Sequence, residues 1–169
     1  VSSLTKPYVI SFDGKDDIPG VIYENKSEEQ WINTYKASRQ FMDKFKAFQN
    51  ISIESPQIKT LISLALKDNY YYFRDMALQF LNDMPEVSIE NKTIIVDKAI
   101  NDPHSKVRQS ALNILSKLEV ENKIELFEKI LSKEKAYNVL GAALIQLNEL
   151  DQMKGLEYAQ LLSAENNAQ

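Results

Sequence analysis

The chain has 169 residues, with 20 Lys and Arg against 24 Asp and Glu, a formal net charge of −4, and 44% hydrophobic and 26% charged residues. That is the composition of an ordinary soluble globular protein, and it argues against a nucleic-acid or anionic-membrane surface, which needs clustered positive charge; local basic patches stay open, but no Lys/Arg-rich run occurs. With no cysteine and one histidine, disulfides, thiolate metal sites and thiol nucleophiles are excluded too.

No apolar stretch reaches the roughly 20 residues of a membrane helix. The opening VSSLTKPYVI has neither an initiator Met nor the basic-then-apolar layout of a signal peptide. It reads as a processed product or a piece of something larger. In YVISFD, Val9 and Ser11 alternate with Tyr8, Ile10 and Phe12, and GVIYE is a second β-rich run. Between them GKDDIPG supplies turn residues, so residues 7–24 predict an extended pair. An isolated pair is marginal in water, so it leans on the following helices or belongs to a sheet continued outside this chain.

At NKSEEQW the periodicity changes. Ser27 followed by Gln30 three positions on is a capping box, with Glu28 and Glu29 suited to a helix N-terminus. A helix over about 28–48 would bury Trp31, Tyr35, Met42 and Phe45, either unbroken or bent near Ala37-Ser38. Ser55 and Pro56 stand as N-cap and first helical residue of the next helix. Ile58, Leu61, Ile62, Ala65 and Leu66 form its apolar stripe. Phe73, Met76, Ala77, Phe80 and Leu81 repeat that spacing, and Val107, Ala111, Ile114 and Leu115 do so again, with Ser110 in one apolar position. The tail SAENNAQ reads as frayed.

These segments are copies of one another. The three arginines, Arg39, Arg74 and Arg108, are 74 − 39 = 35 and 108 − 74 = 34 residues apart. A shift of 34 superposes Asp68 on Asp102, Ala77 on Ala111, Leu78 on Leu112 and Leu81 on Leu115. A further shift near 32 brings Val139, Ala143, Leu144 and Leu147 into the same frame, with Leu140 where the arginine stood. Each unit is a helix, a short Asp-containing turn and a second helix. The small alanine permits close helix approach. Asp68, Arg74, Asp102 and Arg108 are assigned to a structural ladder between neighbouring units, so that Arg108→Met lowers stability.

ALKDNYYYFRDMALQFL and AINDPHSKVRQSALNIL resemble HEAT repeats, whose second helix is introduced by Asp, a short spacer, Val-Arg and a small residue. The resemblance covers about residues 36–147 and implies an α-α superhelix of antiparallel helix pairs. The fold class it yields is mostly α, with residues 1–25 a short N-terminal β segment and residues 26–169 the helical-repeat domain.

The order of parts is similar to the C-terminal end of the aminopeptidase N-like zinc metallopeptidases. Phe12-Asp13 stands where many bacterial members carry an FD followed by a turn. Lys26-Ser27-Glu28-Glu29-Gln30-Trp31 stands at their Lys-Ser-x-x-x-Trp helix start. The family's H-E-x-x-H and G-x-M-E-N segments do not occur, so no catalytic or metal-binding residue carries over. The resemblance implies a non-catalytic portion that packs on the catalytic and β-sandwich domains of the same polypeptide and shapes peptide access. Zinc would belong to the full-length enzyme, and the setting would be a bacterial cytoplasm or periplasm. The rival reading is a free-standing HEAT-like scaffold that binds a protein or peptide. A helical-repeat DNA glycosylase is disfavoured by the acidic charge.

Three features invite chemistry. His104, in DPHSKVRQ, lacks metal or triad spacing and reads as part of the turn opening a helix, with Ser105 as its cap. Tyr70, Tyr71 and Tyr72 are candidate peptide or partner contacts, set against a reading in which Phe73 is core and some tyrosines lie between repeats. Glu28-Glu29 and Asp16-Asp17 read as a helix start and a solvated turn.

Overall fold

A computed structural model describes residues 9–10, 23–84 and 89–167. Among the described residues there are nine α-helices and no strand. The β segment expected over 7–24 lies outside the described residues except for Val9, Ile10, Tyr23 and Glu24, none of which is in a strand. No helix among the described residues is long and apolar enough to cross a membrane. The chain forms two compact units, Val1–Phe73 and Arg74–Gln169.

The first unit holds α1 (Glu28–Ala37), α2 (Phe41–Asn50), α3 (Ile58–Ala65) and the first turn of α4 (Tyr71–Asp83). Helix α1 starts where the capping box predicts. Ser27 Oγ accepts the Gln30 N–H at 3.3 Å and Gln30 Oε1 accepts the Ser27 N–H at 2.8 Å. It ends at Ser38, which turns extended (φ −81°, ψ 143°). Ser38 Oγ then accepts the Gln40 N–H and donates to the Asp43 carboxylate, opening α2. The 28–48 region is therefore two helices. The break rotates α2 away from the face of a continuous helix, so Ala47 and Phe48 are buried while Met42 and Phe45 are only half-buried.

The start of α3 also differs from expectation. Residue Gln57, not Ser55, immediately precedes it, and Pro56 lies in a turn closed by the Ile58 N–H on the Ser55 carbonyl. The Ser55 hydroxyl accepts the Gln57 N–H and donates to Glu28, tying this turn to the start of α1. Trp31, Ile32 and Tyr35 of α1 share the core of this unit with Phe48, Ile58, Leu61, Ile62 and Phe73.

The second unit holds the rest of α4, then α5 (Ile89–Asn101), α6 (Ser105–Lys117), α7 (Lys123–Leu131), α8 (Tyr137–Leu150) and α9 (Gln152–Asn167). Helices α5 and α6 pack together, as do α6 and α8, α7 and α8, and α8 and α9. Asn122, before α7, takes a left-handed conformation (φ 54°) that asparagine tolerates better than most residues. The tail expected to fray is helical as far as Asn167, because α9 continues through it.

Helices α2, α4, α6 and α8 share one register. Their fourth residues are Lys44, Arg74, Arg108 and Leu140, and their seventh are Ala47, Ala77, Ala111 and Ala143. All four alanines have no exposed surface. A larger side chain there would force the packed helices apart. Ser110, which interrupts the apolar stripe of α6, donates to the buried Asp75 carboxylate.

Candidate functional site

The residues of the expected ladder fall into three ion-paired turns. In the second unit, Arg74 donates from Nε and Nη2 to the two carboxylate oxygens of Asp102 at 2.7 and 2.8 Å. Asp102 also accepts the His104 N–H and lies 3.3 Å from Lys98 Nζ. Arg108 does not pair with an aspartate. It makes the same two-pronged contact with Glu134, at 2.7 and 2.9 Å, and donates from Nη1 to the Asp102 carbonyl. In the first unit Asp68 takes Lys44, the Tyr35 hydroxyl and the Tyr70 N–H. Sequence reasoning missed Lys44 and Glu134. Arg39, counted as the first copy of the repeat, is exposed in the α1–α2 connection, and Lys44 holds the equivalent position. The signal was there: counted from the helix starts, Lys44 is in register with Arg74.

Each acid does two jobs. Its carboxylate accepts the N–H two residues on (Tyr70, His104 and Ala136), where the following helix begins, and it holds the cation of the preceding second helix. Ser38 makes the same local bond to Gln40. Burial works to raise all three carboxyls. Hydrogen bonds outweigh it and hold each below its ordinary value: from Lys44, Tyr70 and Tyr35 on Asp68, from Arg74 and His104 on Asp102, and from Arg108, Ala136 and Lys135 on Glu134. Tyr35 is pushed well above the usual phenol value by burial, and further by Asp68. These groups are paired, and buried or partly buried, which suits holding helices together.

The tyrosine run divides by face. Phe73 is buried, while Tyr70, Tyr71 and Tyr72 are each about half exposed. Phe41 is the centre of the surface that Tyr70 and Tyr72 join. Its ring lies 5.3 Å from Tyr72, 6.4 Å from Tyr70, 6.0 Å from Phe45 and 5.0 Å from Phe73. Lys44 Nζ sits 5.9 Å from the Tyr70 ring and 5.2 Å from Tyr35. This first-unit surface is aromatic and carries phenol hydroxyls, the combination favoured where proteins dock. Phe41 and Phe45 come from another helix, so the run of tyrosines alone did not reveal them.

The start of α1 has its own local logic. Lys26 ion-pairs with Glu24 and stands 4.5 Å over the Trp31 ring. Lys26, Ser27 and Trp31 thus make one unit: a cation over the indole, and a cap that begins the helix carrying it.

No protein-family model, curated protein or solved structure matches this chain. The single histidine caps α6, its Nδ1 accepting the Lys106 N–H at 3.3 Å, so the cap is His104 and not Ser105. Among the described residues no three His, Cys, Asp or Glu side chains gather as a metal site would require.

Proposed function

We propose that residues 26–169 are a non-catalytic helical-repeat domain of a zinc-dependent aminopeptidase, stacked in HEAT-like pairs, packing on the catalytic domain and shaping the path of the peptide. The observation that carries this reading is the junction at Lys26, Ser27 and Trp31. The short pattern that resembles the family's helix start is here a capped, cation-locked entry into α1. The shared register of α2, α4, α6 and α8, with an alanine at each seventh position, supports HEAT-like stacking. On this reading the domain selects substrate by shape and charge, and bond cleavage belongs to another part of the polypeptide.

The test is the coding sequence upstream of Val1 and the protein it encodes. An H-E-x-x-H segment there, zinc-dependent release of N-terminal residues, and altered peptide-length preference on removing residues 26–169 support the proposal. A start codon just before Val1 overturns it.

The exposed aromatic surface around Phe41 favours a second reading, a free-standing HEAT-like scaffold that binds a protein or peptide through Tyr70 and Tyr72. Under that reading the chain has no catalytic domain of its own, and Tyr70→Ser with Tyr72→Ser removes partner binding without unfolding the helices.

A further inference from the structure

The last two helices of the second unit border a groove of about 880 Å³ that none of the described residues fills. Leu140 and Leu144 of α8 form one wall, and Tyr158, Leu161 and Leu162 of α9 the other. Leu140 occupies the register position at which α2, α4 and α6 carry a cation. The ionic turn is therefore replaced here by apolar surface, and Leu161 stays 53% exposed and Tyr137 74% exposed.

Gly141 lies in the groove, inside α8, where glycine is the poorest helix former after proline. A Cβ on it would meet nothing within 4 Å. Gly155 is a contrast. Its Cβ would stand 2.6 Å from the Asn148 Cα, so close α8–α9 packing requires glycine there. No such contact with a described residue accounts for Gly141.

The rim says what kind of occupant fits. Lys133 and Lys135 border the groove and are exposed, and neither ammonium has an ion-pair partner among the described residues. Glu134 between them points inward, its carboxylate taken by Arg108 and the Lys135 and Ala136 N–H groups. The edge of the groove formed by the α7–α8 connection is thus positive on a chain whose net charge is negative.

We infer that this groove docks an acidic amphipathic segment of a partner polypeptide. Apolar side chains would enter between α8 and α9 over Gly141, and carboxylates would meet Lys133 and Lys135. This is helix-in-groove recognition with charge setting the orientation. It is independent of whether the chain belongs to an aminopeptidase.

A displayed library of short random peptides, selected on the full chain, tests it. Enriched peptides should pair apolar residues at helical spacing with flanking Asp or Glu. Gly141→Leu, which fills the groove with a better helix former, should abolish their binding while preserving the melting temperature. Lys133→Glu with Lys135→Glu should weaken them about tenfold, and added salt should do likewise. No enrichment, basic consensus peptides, or binding indifferent to Gly141→Leu would overturn the inference. So would a concentration-dependent dimer that Gly141→Leu dissociates, since the occupant would then be a second copy. Adsorption to anionic lipid vesicles in preference to peptides counts against it equally.

Discussion

Arg74 and Asp102, 28 residues apart, meet through two parallel hydrogen bonds in the interior of the second unit, where the Asp102 carboxylate has no exposed surface. The pair joins the fourth residue of α4 to the turn that opens α6. Asp102 in turn presents its carbonyl to Arg108, so adjacent ionic turns share a residue. Arg74→Met would leave a buried carboxylate with only Lys98 and one N–H, and should cost roughly 3 kcal/mol. Asp102→Asn should cost a similar amount. The double variant should cost clearly less than their sum, as chemical denaturation of the four proteins would measure.

Arg108→Met should also lower stability, but by less, about 1–2 kcal/mol. Its pair with Glu134 is partly open to water, which screens the charges. An unchanged unfolding midpoint would remove this turn from the list of contacts that hold α6 against the α7–α8 connection.

Stability should fall in acid, and the three acids fix where. Asp68, Asp102 and Glu134 have folded values below their ordinary 3.8, 3.8 and 4.5. Their contribution is complete above those ordinary values and is lost as pH falls past them and through the lower folded ones. Unfolding free energy should therefore decline below about pH 4.5. Asp102→Asn should flatten the decline, because the group that differs between folded and unfolded chains is gone. Denaturant titrations across pH 3 to 6 would read the slope directly.

The two helical glycines of the second unit should respond oppositely to alanine. Gly155→Ala places a methyl against the Asn148 backbone and should destabilise by about 1–3 kcal/mol. Gly141→Ala meets open space and should stabilise by about 0.5–1 kcal/mol through helix propensity alone. Thermal melts of both would suffice.

In the aromatic surface, adjacent residues should differ sharply. Phe73→Ala empties a buried site ringed by Tyr35, Phe41 and Phe48 and should cost about 3–5 kcal/mol. Tyr71→Ser and Tyr72→Ser remove half-exposed rings and should each cost under about 1 kcal/mol. A large loss at Tyr72 would mean that its ring braces the unit and is not held ready for a partner.

The helices were legible in the chain itself because their signals are local. The Ser27 capping box and the apolar spacing of α3 and α6 each lie within a few turns, and signals of that range need no tertiary partner. The mostly helical class followed from them. Their exact limits did not. The break after Ala37 depends on the Ser38 hydroxyl bridging Gln40 and Asp43, and the delayed start of α3 depends on Ser55 reaching Glu28.

Pairing was decided by packing alone. Arginine spacing picked out Arg39, yet the first ionic turn uses Lys44, because register is counted from a helix start and not from an identical letter. Nothing in the sequence told Arg108 to choose Glu134, 26 residues on. Phe41 joined Tyr70 and Tyr72 only once helices separated in the chain lay side by side, and the groove at Gly141 appeared only once α8 and α9 had packed. Local chemistry determines where a helix can form. Which charges it neutralises, and which apolar faces it leaves uncovered, depends on neighbours that only the folded chain supplies.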